Sequence, residues 1–266
     1  MKNARTLAAH WWPVLATILL IIGGFIALLL LTQPSPQPAR RDAAQEPQKQ
    51  AIADTPSSPD GEAPSAPKPP TFNKLRHSTA TAGSLWVVAN KQHPLNPKDY
   101  APKEVATVQG VSVAVVARDD LQALLAAAAK DGHTLKLISG YRSHGQQHTL
   151  HEDYAREYGR EATETFSARP GYSEHQTGLT VDFGTTSGDC HLNACFGGTP
   201  EGKWLAEHSY EYGFILRYLE GKEAITGYEP ESWHFRYVGR ELAAEIHARG
   251  YPTLEEFFGI SGGTSY

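Results

Sequence analysis

The stretch "SEHQTGLTVDFG", Ser173 to Gly184, ends in an alternating segment that predicts a β-strand. Leu179, Val181 and Phe183 share one face of that strand, which is apolar enough to pack against a core. Asp182 lies on the opposite face, at the centre of the strand. A carboxylate in this position is costly unless it is paired, hydrated or bound to a metal. The stretch therefore predicts a strand of the folded core that carries a functional carboxylate.

Further elements are predicted on both sides of this strand. Strands are predicted at "SLWVVAN", "VSVAVVA", "TLKLIS", "FILRY" and "WHFRYV". Helices are predicted at "RDDLQALLAAAAKDG", with Asp119 or Asp120 near its cap, at "HGQQHTLHEDYAREYG", capped by Ser143, at "GKWLAEHSYEYG", ended by Gly213, and at "RELAAEIHARG". The strands and helices do not alternate regularly, which favours an α+β fold over a doubly wound parallel sheet.

The amino-terminal region predicts a membrane anchor. Residues 11–32 contain no charge and are about as long as the ~20 residues that span a bilayer, and Trp11 and Trp12 suit its interface. A cleaved signal peptide is the alternative, but its apolar core is usually only ~7–15 residues long and precedes a small-residue cleavage site. We expect residues 1–10 to form a short cytoplasmic segment. The basic residues on the two sides of the helix are nearly balanced, so they do not decide the orientation.

A proline-rich tether and one folded domain are predicted to follow the anchor. Residues 33–70 hold ten of the 18 prolines and almost no aliphatic side chains, so they cannot bury a core. Residues 71–266 have the composition of one folded domain. The formal net charge is -5 and the basic residues are dispersed, which gives no indication of nucleic-acid binding.

A second segment, "EPESWHFRYVG", offers a partner for Asp182. Trp233, Phe235 and Tyr237 share an apolar face, and His234 lies on the other face. His175 precedes a turn that can fold it back over the first strand. Two histidines and a carboxylate leave a fourth position open, as in catalytic zinc sites. The alternative is that these are ordinary loop and core histidines, since the chain has 12 histidines in all.

Glu231 is a candidate general base beside this cluster. In a straight strand Glu231 and His234 would face opposite sides, so both can face one site only if the chain turns between them. Pro230 and Ser232 make such a turn plausible. The alternative is an ordinary surface carboxylate.

The segment "SGYRSHGQQ" supplies candidates for substrate binding. Arg142 follows a predicted strand and a Gly-Tyr turn, and its guanidinium can bind a carboxylate or stabilise an oxyanion. Gln147 can add an amide contact. A structural ion pair is the alternative role for Arg142.

Taken in order, "SGYRSHGQQ", "SEHQTGLTVDFG", "YGFILRY" and "EPESWHFRYVG" resemble the VanY-type D-alanyl-D-alanine carboxypeptidases. These belong to the group that includes lysostaphin, the D-Ala-D-Ala metallopeptidases and sonic hedgehog. The resemblance covers about Leu85 to Gly259, and "VVANKQHPLNPKDYAP" resembles the first strand of that family.

The resemblance implies an α+β domain with a central antiparallel sheet flanked by helices. We expect the protein to be a monomer. It implies one zinc ion per chain, held by His175, Asp182 and His234. It assigns Glu231 as the general base and Arg142 as a contact to the substrate and the tetrahedral state. Gln147 and Ser173 match positions that help to bind the peptide. Glu229, an extra carboxylate in the same motif, competes with Glu231 for the role of base.

The activity implied by the resemblance is removal of the terminal D-alanine from peptidoglycan stem peptides. The domain would then lie on the cell-wall side of the membrane, held by the single anchor. Two alternatives remain: an L,D-carboxypeptidase acting on tetrapeptide stems, and a non-catalytic module that binds the cell wall.

Cys190 and Cys195 are separated by four residues in the glycine-rich segment "GDCHLNACFGG". In an exported protein such a pair favours a local disulfide. Two free thiols, or a second metal site that includes His191, are the alternatives.

Overall fold

The structure is a computed structural model that describes residues 72–266. The predicted segments 1–10, 11–32 and 33–70, and the first residue of the predicted domain 71–266, lie outside the described residues. Among residues 72–266, no helix combines the length and the apolar character needed to cross a bilayer.

Six strands and seven α-helices are assigned in the part of the chain that the structure describes. The strands are β1 (Val105–Val108), β2 (Val111–Ala114), β3 (Leu135–Ser139), β4 (Thr180–Thr185), β5 (Phe214–Tyr218) and β6 (Glu231–Tyr237). The α-helices are α1 (Val115–Lys130), α2 (His144–Tyr158), α3 (Arg160–Phe166), α4 (Pro200–His208), α5 (Glu223–Thr226), α6 (Arg240–Arg249) and α7 (Leu254–Phe258). Short 3₁₀ helices occur at Glu174–Thr177, Ala194–Gly198 and Ser209–Tyr212.

The strands form a two-stranded hairpin and a four-stranded sheet. β1 pairs with β2, and the larger sheet has the order β3-β4-β6-β5 with every neighbouring pair antiparallel. Helices flank this sheet, so the predicted α+β fold with a central antiparallel sheet is confirmed.

One face of the larger sheet forms the main core, as the alternating patterns predict. Phe183 of β4 and Phe235 of β6 are completely buried, with their rings 5.5 Å apart in an edge-to-face arrangement. Leu121 and Leu124 of α1 are also completely buried and belong to the same cluster. Asp182 and His234 occupy alternate positions in their strands and therefore lie on the opposite face of the sheet.

The helix that follows the "GYR" turn begins where the sequence predicts. The side chain of Ser143 accepts a hydrogen bond from the backbone of Gln146, whose side chain accepts one from the backbone of Ser143. This reciprocal arrangement satisfies two backbone donors at the start of the helix. It fixes the first turn of α2, which carries Gln147 toward the sheet.

The strand predicted at 84–90 is wrong. This segment is irregular apart from an isolated bridge between Asn90 and His93. The apolar side chains from Trp86 to Ala89 are all buried. The backbone carbonyls of Leu85 and Val87 accept hydrogen bonds from the guanidinium of Arg236 instead of from a neighbouring strand. A continuous run of buried apolar side chains therefore occurs here without a sheet.

The predicted cap of the first long helix is also wrong. α1 begins at Val115, so the strand expected at 111–117 ends at Ala114 and neither Asp119 nor Asp120 is the N-cap. The backbone amide of Ala114 donates to Gly178 and that of Val115 donates to Glu104. These tertiary hydrogen bonds place the strand end earlier than the apolar run alone indicates.

Candidate active site

Two strands and one turn bring three potential metal ligands together. His175 lies in the 3₁₀ turn before β4, Asp182 lies within β4, and His234 is the residue of β6 that pairs with Asp182. His175 Nε2 is 3.3 Å from Asp182 Oδ2, and His234 Nδ1 is 3.4 Å from Asp182 Oδ1. One donor atom from each residue lies within 4.8 Å of the others, and all three side chains are buried.

The chemistry of this donor set fits zinc. His175 Nδ1 lies 2.7 Å from the carbonyl oxygen of Gly140, which can only accept, so Nδ1 carries the proton and Nε2 has its lone pair free. Asp182 Oδ1 is buried and has no hydrogen-bond partner. Two imidazoles and a carboxylate leave one position of a tetrahedron open, as in catalytic zinc sites.

The charges within the trio reinforce one another. Burial opposes the ionised form of Asp182, but the adjacent His175 and His234 outweigh it and hold the pKa of Asp182 well below its usual range. Burial likewise opposes the charged form of His234. Contacts with Asp182, Glu174 and Glu231 outweigh that effect and raise the pKa of His234 well above its usual value. Asp182 is therefore held in the ionised form that a metal ligand requires.

A bulge in β6 brings Glu231 to the same place. Leu216 pairs with Phe235 and Tyr218 pairs with Glu231, so β6 has two more residues than β5 between these pairs. The extra residues let Glu231 and His234 face one site, with Glu231 Oε2 3.1 Å from His234 Nδ1. The side chain of Glu231 is 14% exposed, so it lies at the boundary between the trio and the open cleft.

Glu229 lies on the rim of the cleft and is engaged elsewhere. Its backbone amide donates to the carbonyl of Thr165 at 2.9 Å, and its carboxylate accepts a hydrogen bond from the hydroxyl of Thr165. These bonds attach Glu229 to α3. The geometry therefore favours Glu231 over Glu229 as the carboxylate beside the ligand trio.

The predicted substrate-binding residues line the same cleft. Arg142 Nη1 donates to Gln147 Oε1 at 2.8 Å, and Gln147 Nε2 donates to the carbonyl of Ala168 at 2.7 Å. Ser173, which is buried, also lines the cleft. Gln147 thus holds the guanidinium of Arg142 in one orientation.

Ser139 is a contact that the sequence did not indicate. It ends β3 opposite Asp182, and its hydroxyl donates to Asp182 Oδ2. Arg142 Nη2 also lies 3.4 Å from Ser139 Oγ. Serine is common at the ends of strands. Ser139 could therefore be identified as a contact of Asp182 only once the register of β3 with β4 was known.

The cleft has a volume of about 310 Å³. Beyond the polar groups, its walls are largely aromatic and aliphatic: Leu150, Tyr154, Phe166, Leu192, Tyr218, Tyr228 and Trp233. Tyr218 and Trp233 lie in segments quoted above, but the lining residues come from distant parts of the chain, and the sequence did not indicate that they meet in one cleft. A cleft in which aromatic and aliphatic walls surround convergent polar groups can accept a small molecule or a peptide.

A buried charge network lies behind His234. Glu174 Oε1 accepts hydrogen bonds from Arg217 Nε and Arg236 Nη1, both at 2.9 Å, and the other side of Arg217 binds Glu255. Burial opposes ionisation of Glu174, but the two arginines outweigh it and lower its pKa. The second oxygen, Glu174 Oε2, is 3.9 Å from His234 Nε2, and neither atom has a hydrogen-bond partner. The network therefore presents a negative charge to the side of His234 that faces away from Asp182.

We expect Glu174→Gln to weaken zinc binding by about 10–100-fold, the usual cost of removing a carboxylate behind a metal-binding histidine. Glu255→Gln is the matched control, because it also removes a charge from Arg217 but does not touch His234. Competition with a chelator measures zinc affinity, and thermal unfolding measures the stability that both variants lose. Equal losses of zinc affinity in the two variants would show that Glu174 acts only through the stability of the network.

Cys190 and Cys195 form a disulfide, with their Cα atoms 5.4 Å apart. His191 Nε2 lies 2.7 Å from the carbonyl oxygen of Thr185. Within residues 72–266, the trio described above is the one group of three or more His, Cys, Asp or Glu side chains arranged for a metal, and His191 is not part of it.

The fold and the site together define a metallopeptidase. A model of the VanY family, described as D-alanyl-D-alanine carboxypeptidase, matches residues 111–240. The chain belongs to the VanY family and is a zinc-dependent carboxypeptidase.

Named relatives agree with this assignment. The putative carboxypeptidase YodJ of Bacillus subtilis (strain 168) is 38% identical over 185 residues, which span 66% of this chain and 67% of YodJ. The structure of the LdcB LD-carboxypeptidase has a TM-score of 0.62 at 37% identity, over 68% of this chain and 88% of that one. A Zn(II) complex of a variant of the vancomycin resistance D,D-pentapeptidase VanY, from the VanB-type resistance cassette, has a TM-score of 0.57 at 34% identity, over 66% and 98% of the two chains.

Proposed function

We propose that this protein is a membrane-anchored zinc D,D-carboxypeptidase that removes the terminal D-alanine from peptidoglycan stem peptides. The observation that carries the proposal is the open donor set of His175, Asp182 and His234 with Glu231 beside it, in a cleft that also holds Arg142. Relatives named as D-alanyl-D-alanine carboxypeptidases support the choice of substrate.

In this proposal His175, Asp182 and His234 hold one zinc ion per chain. When bound, zinc polarises a carbonyl and lowers the pKa of water toward ~7. Glu231 accepts a proton from the water that attacks the carbonyl carbon before the terminal D-alanine. The C–N bond then breaks, and Glu231 returns that proton to the departing amine nitrogen.

Arg142 has the complementary task of binding negative charge. Its guanidinium is oriented by Gln147 and faces the cleft beside Asp182 and Ser139. From there it can hold the carboxylate of the peptide or the oxygen that becomes negative during attack. Gln147 and Ser173 complete the polar wall against which the peptide backbone lies.

An L,D-carboxypeptidase acting on tetrapeptide stems is the second candidate. It is favoured by the similarity to the LdcB LD-carboxypeptidase and to an L,D-carboxypeptidase DacB at 43% identity. The two activities differ in the shape of the pocket and not in the type of catalytic groups, so the residues described above serve either one.

Incubation of the purified full-length chain with defined pentapeptide and tetrapeptide muropeptides separates these functions. We expect mass spectrometry to show loss of one alanine from the pentapeptide and an unchanged tetrapeptide. Loss of alanine from the tetrapeptide alone would assign the L,D activity. Binding of either peptide without any product would indicate a non-catalytic wall-binding module.

We further propose that residues 11–32 anchor the protein as a single membrane helix, and that the catalytic domain acts as a monomer on the cell-wall side. The uncharged length of this segment supports an anchor, and a cell-wall substrate supports the orientation. Protease added to intact cells should then release the domain from the membrane fraction. Recovery of a soluble form that begins near residue 33 would instead indicate a cleaved signal peptide.

A further inference from the structure

The disulfide loop, defined as residues 190–195, reaches the active-site cleft. It lies between β4 and α4, and Leu192 at its centre is one of the residues that line the cleft. Leu192 is 45% exposed, whereas most large apolar side chains among residues 72–266 are buried. An apolar side chain exposed inside a cleft is available to contact a ligand.

The backbone of the loop is held in an uncommon conformation. Cys190 has φ 58° and Leu192 has φ 47°, both in the left-handed region that residues other than glycine seldom adopt. Such conformations persist only where the surroundings hold them. The disulfide closes the loop, His191 contacts the carbonyl of Thr185, and the completely buried Phe196 fixes the chain that follows.

The far end of the loop is attached to the bulge that carries Glu231. Ser232 Oγ donates to the carbonyl of Ala194 at 3.2 Å and accepts from the amide of Gly197 at 3.0 Å. Ser232 follows Glu231 directly in β6. One side chain therefore joins the disulfide loop to the strand segment that places the general base.

We propose that the disulfide loop is a specificity-determining wall of the cleft, in which Leu192 contacts an aliphatic group of the stem peptide. The disulfide holds Leu192 against the cleft and, through Ser232, supports the position of Glu231. The inference rests on the proposed function, because it assigns the substrate of that same site. Leu192 contributes to substrate binding, whereas the disulfide contributes to both binding and turnover.

Kinetics of two variants on the pentapeptide muropeptide test this proposal. Leu192→Ala should raise KM about tenfold, the scale of a lost aliphatic contact in a pocket, with kcat and zinc content unchanged. Replacing both cysteines by serine should raise KM and lower kcat while zinc is retained. Val116→Ala is the matched control, because Val116 is 58% exposed on α1 and does not line the cleft.

The outcomes separate this inference from the proposed function. Wild-type turnover with an unchanged KM in Leu192→Ala would overturn the role of Leu192 and leave the function intact. An unchanged kcat in the double serine variant would overturn the link to Glu231. No turnover of either peptide by the wild-type chain would overturn the proposed function, and the inference with it.

Discussion

Replacement of Glu231 by glutamine should lower kcat by about 10²–10⁴-fold, the usual contribution of a general base. Glutamine keeps the size of the side chain and its hydrogen bonding, but it cannot accept a proton from water. The three proposed zinc ligands are unchanged, so zinc content and peptide binding should be retained. Steady-state kinetics on the muropeptide, together with metal analysis and calorimetry of binding, measure these three quantities.

Glu229→Gln is the control for this prediction. Glu229 is two residues away in the same motif, and its hydrogen bonds to Thr165 attach it to α3. Its replacement should leave turnover near that of the wild type. Near-normal turnover in Glu231→Gln, or a collapse of turnover in Glu229→Gln, would transfer the role of base to Glu229.

Loss of one histidine of the trio should abolish zinc retention and activity together. His175→Ala and His234→Ala each leave two protein ligands, which is fewer than a catalytic zinc site normally has. We expect metal analysis to fall from about one zinc per chain to almost none in either variant. His208→Ala is a suitable control, since that exposed histidine contacts Glu211 on the surface. Full zinc occupancy in both trio variants would show that the ligand assignment is wrong.

The sheet and much of the site could be predicted because short-range patterns encode them. The alternation in β4 and β6 places Asp182 and His234 opposite their apolar neighbours, and this depends only on the period of a strand. The turn required for Glu231 was also predictable, because Pro230 and Ser232 disfavour a straight strand. That turn takes the form of a bulge against β5. A bulge depends on how two strands pair, so the sequence of β6 alone could not predict it.

The remaining features depend on contacts between distant parts of the chain. Ser139 reaches Asp182 only through the register of β3 with β4, and Leu192 reaches the cleft only through the path of the disulfide loop. The segment 84–90 was predicted to be a buried strand. Its burial was predicted correctly, but it does not form a strand. Its carbonyls bind Arg236, a residue about 150 positions later, and no local pattern shows that partner.

The arginines behind His234 join the metal site to parts of the chain that are made late. Arg217 follows Glu174 by 43 residues, and Glu255 follows Arg217 by 38. A buried ion network that lacks one partner is destabilised by about 3–5 kcal/mol. During synthesis, the network is therefore not stable until Glu255 has left the ribosome and can pair with Arg217. The segment from His175 to His234 contains all three proposed ligands, yet it should hold the metal firmly only after α7 has docked. Zinc uptake by stalled chains of increasing length would therefore report completion of the domain during its synthesis.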